Sequence, residues 1–341
     1  MKTLQVGSKS IHVSSYIKAL REYTPHTADL LVEEPCNFDG VENEIVLSFR
    51  SKNPITLLKN YNTLKAIIAD IRPELIHIHQ VNRLGYLVVR AAKALKIPVI
   101  TTAWGSDVLL IPKQNKFYRY LVKQTLFHSK MVTADAQEMI TSMQKLVPSN
   151  KYHLLQYGID LIEPKQKEKW IYSNRLHKNF YRIDKIIDYF NDFNKQVPDW
   201  KLIIAATGEE TDKLKQRVQD YQITDKVEFA GWTDKSTNAD FYARSSIYIS
   251  IPESDGTSVS LLEAMSAGCI PIVPNISVSH EWIKNKENGI IETSGSNPIL
   301  EALTIDQQKC VEYNQNLVAK KASRENCLAV FHQLYQQVNH A

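Results

Sequence analysis

The chain has 341 residues, which is longer than one ordinary domain and suits about two. Its 43% apolar and 23% charged residues are those of a globular protein with a sizeable core, and they exclude a disordered or fibrous chain. The net charge of +4 conceals an asymmetry: residues 1–151 carry 20 Lys and Arg against 12 Asp and Glu, and the remainder carries 21 against 25.

The basic front half is therefore the half to meet an anionic partner, or else it presents a solvated basic surface. Cys36, Cys269, Cys310 and Cys327 are scattered without paired spacing. Reduced thiols of a cytoplasmic protein are expected, not a disulfide framework or a zinc site. Met1 to Ser10 has no apolar signal region, and no apolar run approaches bilayer length. If the protein meets a membrane, it is expected to lie on its surface.

In chain order, short β-rich runs alternate with longer amphipathic stretches. Leu4–Val6 reads as a strand and Ile11–Arg21 as a helix; then Ile45–Leu47 and Ile55–Ile71, Leu75–His79 and Leu84–Leu95, Pro98–Thr102 and Phe117–Phe127, Met131–Ala134 and Ala136–Leu146. Tyr157 to Asp160 and the charged run Glu163–Lys169 read as a linker. The alternation then restarts with strands at Ile171–Ser173, Leu202–Ala205, Val227–Ala230, Ile247–Ile249, Ile270–Val273 and Gly289–Glu292. Helices are expected at Ile183–Phe193, Asp212–Tyr221, Phe241–Arg244 and Val259–Ala267, and two more at Glu301–Leu317 and Ser323–Val338. Alternation of this kind means β-α-β units and parallel sheets. The expected fold is α/β, with two Rossmann-like doubly wound domains at 1–155 and 156–318 and a C-terminal helix at 319–341. Ligands of such folds bind at the carboxyl ends of the strands.

The most informative stretch runs from Pro252 to Met265, between a strand and a helix. Asp255-Gly256-Thr257-Ser258 is turn-forming and can expose backbone N–H groups at a helix N-terminus, where a phosphate or sugar hydroxyls would bind. Glu263 lies one turn into the helix and could accept hydrogen bonds from vicinal hydroxyls. The plainer alternative makes Ser254 or Asp255 a helix cap and Glu263 a solvated residue.

The pair Asp255 and Glu263, followed by Ala264-Met265-Ser266-Ala267-Gly268-Cys269-Ile270-Pro271, resembles the signature of glycosyltransferase family 4, retaining enzymes of GT-B fold with a central cleft. Gly158-Ile159-Asp160, Ser173-Asn174-Arg175, Gly208, Val227–Gly231 and Asn288-Gly289 resemble further landmarks of that family, so the likeness covers most of residues 150–295. The resemblance implies that Glu263 binds the donor ribose. It implies that Asp255 and the N–H groups of Gly256 and Thr257, beside Ser258, hold the donor sugar, and that Arg175 serves the diphosphate. Asp255 stands where the family has Glu. Phe180 and Tyr181 stand where it has a second, lysine ligand, a charge that Arg182 or Lys178 would have to supply. In Trp104-Gly105-Ser106-Asp107, which resembles a His-Gly-x-Asp turn, Trp104 replaces the histidine that contacts the donor sugar; an indole can stack and donate but cannot accept a proton.

In the front half, the loop at Gly7 is placed to pass near a bound diphosphate, although one glycine is a weak fingerprint. His77 and His79 share a strand face and have no third ligand in register, so packing or hydrogen bonding is expected of them. No Asp-x-Asp loop offers a metal site, so no metal and no cofactor are expected beyond a UDP- or GDP-linked sugar as substrate. Lys113, Lys116, Arg119 and Lys123 recur at helical spacing among aromatic residues. They suit an anionic membrane or a lipid-linked glycan acceptor, or they belong to an ordinary surface helix. No nucleic-acid module accompanies them. A catalytically inactive nucleotide-sugar-binding partner and a GT-B epimerase remain the alternatives to a transferase.

Overall fold

A computed structural model describes residues 1–50 and 53–340; residues 51, 52 and 341 lie outside the described residues, including the last position of the 319–341 segment. The chain divides into two compact units, Met1–Gly158 with Arg324–Ala341, and Ile159–Ser323.

In the first unit, β1 (Lys2–Val6), β2 (Thr27–Val32), β3 (Glu44–Val46), β4 (Leu75–His79), β5 (Val99–Thr102), β6 (Met131–Ala134) and β7 (Tyr152–Leu154) form one sheet in the order β3-β2-β1-β4-β5-β6-β7. Every neighbouring pair runs parallel. Because the order reverses between β1 and β4, their carboxyl ends open a crevice at that switch point. In the second unit, β8 (Glu168–Ser173), β9 (Lys201–Ala205), β10 (Val227–Gly231), β11 (Ser245–Ile249), β12 (Ile270–Val273) and β13 (Ile290–Ile291) repeat the plan in the order β10-β9-β8-β11-β12-β13. Its switch point lies between β8 and β11.

Several elements differ from the sequence expectation. β2 was not foreseen because Asp29 interrupts its apolar run; the buried carboxylate accepts from Asn43 Nδ2 at 2.7 Å and lies 3.5 Å from Lys2 Nζ. The linker read over Glu163–Lys169 gives way to β8 at Glu168. The stretch Glu301–Leu317 becomes two helices, Pro298–Ala302 and Gln307–Ala322, because Asp306 caps the second by accepting from Lys309 N. The helix foreseen from Phe241 begins at Lys235, where Asp234 accepts from Thr237 N.

The last helix, Arg324–His340, completes the core of the first unit. Leu328, Phe331 and Tyr335 are buried with Tyr16, Ile17 and Leu20. Its Tyr335 hydroxyl bonds Tyr16 at 2.9 Å and His77 Nδ1 at 2.7 Å. His77 and His79 do not reach outward as ligands. His77 Nε2 bonds Thr102, and His79 bonds Tyr157 and Gln5.

Candidate active site

Since β8 and β11 lie side by side and parallel, the residues that follow them are neighbours despite their distance in sequence. Arg175 Nη2 donates to Asp255 Oδ2 at 2.9 Å, and its Nη1 donates to Ser258 Oγ at 2.9 Å. The guanidinium carbon stands 4.6 Å from the centre of the Tyr181 ring. Burial works against the charge on Arg175, but Asp255 above all, with Tyr248 and Tyr181, outweighs it and raises its pKa. Burial raises Asp255, while Arg175 and the Gly256 N–H hold it back.

Ser258 stands at the N-cap position of the helix Val259–Ser266, yet its side chain makes no capping hydrogen bond. Its hydroxyl serves Arg175 instead. The start of that helix therefore combines a positive helix end with a fixed guanidinium, an arrangement that suits a diphosphate. Below the loop, Thr257 is buried and accepts from Trp282 Nε1 at 3.3 Å; a small cavity lies between Asp255, Thr257, Leu261 and Trp282.

Glu263 lies half-buried one turn along the helix. Beneath Arg175 runs a polar network that the sequence did not disclose. Tyr172 donates to Asn238 Oδ1 at 2.6 Å, Asn174 Nδ2 donates to Asn238 Oδ1 at 3.0 Å and to Tyr242 at 2.7 Å, and Tyr248 donates to Asn174 Oδ1 at 3.2 Å. Burial pushes the Tyr248 phenol up to about 12, and burial together with other nearby acidic groups, Glu263 among them, raises Tyr172 and Tyr242. These phenols stay neutral and hold Asn174, hence the start of the Arg175 loop, in one position.

Gly208 supports the same loop from the other side. A Cβ there would stand 2.4 Å from the His177 carbonyl oxygen and within 3 Å of two more of its backbone atoms. His177 is itself clamped, its Nε2 donating to the Ala205 carbonyl and its Nδ1 accepting from Thr211. Gly208→Ala should therefore displace the loop that carries Arg175, at a cost of about 1–3 kcal/mol. The melting temperature should fall; a variant that melts like the wild type would remove this role.

Arg182 meets a carboxylate of its own. It adopts a left-handed conformation, φ 54°, ahead of the helix Ile183–Asn194, and its Nη2 lies 3.8 Å from Glu292. Glu292 is buried and also receives Lys185 and, at 2.7 Å, Tyr189. Burial raises this carboxyl, but these partners win and keep it below its ordinary value. Lys185 had no motif to reveal it, because its partner lies 107 residues away.

In the first unit, Gly7 faces Val13; a Cβ there would come within 2.9 Å of Val13 Cγ2. Trp104 donates its indole N–H to Tyr157 at 3.3 Å, so it offers a ring face more than a donor. It packs in a T-shaped pair with His12, with ring centroids 5.7 Å apart. Asp107 is buried, and both of its oxygens accept backbone N–H groups, from Val81 at 2.8 Å and Gly105 at 2.9 Å as well as Trp104. It organises the turn that presents Trp104. Lys113, Lys116, Arg119 and Lys123 are exposed. Among the described residues, no three His, Cys, Asp or Glu are grouped to hold a metal ion. Among the same residues, no helix is long and apolar enough to cross a membrane.

Comparison with known proteins agrees with this architecture. Residues 159–316 match the family "Glycosyl transferases group 1", and residues 4–136 match "Glycosyl transferase 4-like". The chain belongs to the GT-B glycosyltransferases of family 4 type. It is 29% identical to a Haemophilus influenzae glycosyltransferase over 50% of this chain, though the match spans only 44% of that relative. It is 24% identical to the alpha-monoglucosyldiacylglycerol synthase of Streptococcus pneumoniae over 81% of this chain and 69% of the other. Its fold is similar to that of Anabaena HepE in complex with UDP, with a TM-score of 0.80, 12% identity and 99% of both chains covered.

Proposed function

We propose that this protein is a retaining hexosyl- or N-acetylhexosaminyl-transferase. It moves the sugar of a UDP-linked donor, with GDP as the second choice of nucleotide, to a hydroxyl of a lipid-linked glycan during cell-surface polysaccharide or glycoconjugate synthesis. It works in the cytoplasm at the inner face of the membrane, to which Lys113, Lys116, Arg119 and Lys123 attach it peripherally. Residues 1–155 would take the acceptor and 156–318 the donor.

The observation that carries this reading is the triad of Arg175, Asp255 and Ser258 at the start of the helix that bears Glu263. An entering diphosphate competes with Asp255 for the guanidinium, and Asp255, once released, is free to accept a sugar hydroxyl. Arg175 and the helix start then stabilise the charge on the leaving diphosphate, which can itself take the acceptor's proton. No protein nucleophile, metal or further cofactor enters this scheme. The UDP held by HepE and the lipid glucosylation named for the pneumococcal relative support the donor and the acceptor class.

The test is calorimetry on Glu263→Ala. Two charge-assisted hydrogen bonds to ribose, each about 1.5–3 kcal/mol, leave room for at least a tenfold loss of affinity. The loss should appear with UDP and UDP-sugar alike, and inorganic pyrophosphate should bind as before. Unchanged UDP affinity in the folded variant would take Glu263 out of the site.

A further inference from the structure

Strands β1, β4 and β5 lie side by side in the first unit, so the residues that follow them share one rim of its crevice. After β1 comes His12, in the first turn of the helix Ile11–Tyr23, with its backbone N–H donating to Ser10 Oγ at 3.2 Å. After β4 comes Gln80, held at a φ of 90° with its backbone N–H donating to the Thr102 carbonyl at 2.8 Å. A side chain is rarely kept in that conformation, and such positions gather at ligand sites. After β5 comes Trp104.

The two rings of this rim are complementary. Trp104 is fixed before any ligand arrives. Its backbone N–H donates to Asp107, and its indole N–H donates to Tyr157, whose hydroxyl bonds His79, which bonds Gln5 in turn. The indole has no other donor, so what it offers is its face. His12 is the opposite case. It is exposed, and among the described residues neither of its ring nitrogens has a hydrogen-bond partner. The plane of its ring stands at 70° to the indole, with centroids 5.7 Å apart. Desolvation by its surroundings lowers its pKa, so at neutral pH one nitrogen accepts and the other donates. A sugar has the same two characters: a ring face of C–H groups that packs on an aromatic plane, and an edge of hydroxyls that needs hydrogen-bonding partners.

We propose that Trp104 and His12 form a subsite for the acceptor sugar, with a pyranose ring stacked on the indole and a hydroxyl at its edge donating to the imidazole. His12 orients that hydroxyl, and the proton still leaves to the diphosphate. The proposal rests on the transferase reading only in calling this sugar the acceptor.

The experiment follows the His12 ring resonances by NMR while methyl glycosides of glucose, galactose, mannose and N-acetylglucosamine are added without nucleotide. UDP and UDP-glucose affinities are measured in parallel by calorimetry. The ring resonances of His77 and His79, in the core of the same unit, report intact folding in every variant. In the wild type at least one glycoside should shift His12 in a saturable way. His12→Phe keeps an aromatic ring beside Trp104 and loses the nitrogens, so glycoside affinity, read from the remaining resonances, should fall by about three- to tenfold. His12→Gln or His12→Asn should recover part of it. Trp104→Ala should cost about tenfold or more, and Trp104→Phe less. UDP affinity should not change in the His12 variants. His12→Phe equal to the wild type would reduce His12 to packing and overturn the proposal. So would a loss confined to UDP-glucose, which would assign the pair to the donor. A wild type that binds UDP but none of the glycosides would overturn the subsite and leave the transferase reading standing. Glycoside binding without any UDP binding would defeat that reading and spare the sugar site.

Discussion

Arg175→Ala is expected to lower turnover by about 10²–10³-fold, the loss typical of removing one donor aimed at developing charge. The side chain is 14% exposed and held at three points, by Asp255, Ser258 and the Tyr181 ring. A ligand therefore meets a cation already in place, with little ordering left to do. Affinity for diphosphate should fall more than affinity for monophosphate. Arg175→Lys should recover part of the turnover, since an ammonium keeps the charge but lacks the planar fork that reaches Asp255 and Ser258 together. The alanine variant leaves Asp255 partly buried without its cation, so the lysine variant is also the control for stability. Wild-type turnover in a folded Arg175→Ala would move the diphosphate elsewhere. Arg182, beside Glu292, would be examined next.

The two-sheet plan was legible because buried parallel strands leave near-continuous apolar runs, as at Leu202–Ala205 and Ile247–Ile249. β2 and β7 were not legible. Asp29 breaks the first, and the second is three residues long. The loop after β11 was legible as a turn leading into a helix because turn residues, hydroxyls and a helix follow one another locally. Its meeting with Arg175 depends on β8 pairing with β11, which no local pattern states. The same holds for the network around Asn174, assembled from residues up to 74 positions apart. Basic spacing around Lys116 was visible in the sequence, but which rings face outward was not. Phe117 and Leu121 look alike until burial separates them.

Acid should unfold the unit holding β1–β7 and the last helix before it affects the other. His77 and His79 lie side by side, ring centroids 4.2 Å apart, and all four ring nitrogens bond neutral groups. Burial drives His77 well below its ordinary value and His79 to about 3. His26, under the last helix and 2.9 Å from a His332 nitrogen, is lowered to about 4 by burial and then by the N-terminus and His332, against an opposing pull from Glu74. For each, the folded pKa lies below the unfolded one, so its contribution is complete above about pH 6.5 and is lost as pH falls toward the folded value. The loss per histidine has an upper bound of about 1.4 kcal/mol per pH unit. In the other unit, burial holds His177 low in the same way and gives a slope nearer one proton. Urea midpoints at pH 7, 6 and 5, with hydrogen exchange assigning each transition to its unit, should show the steeper fall in the first unit. His79→Gln should lower stability at pH 7 and reduce the slope. A midpoint that stays level from pH 7 to pH 5 would mean that these imidazoles already carry their protons in the folded chain.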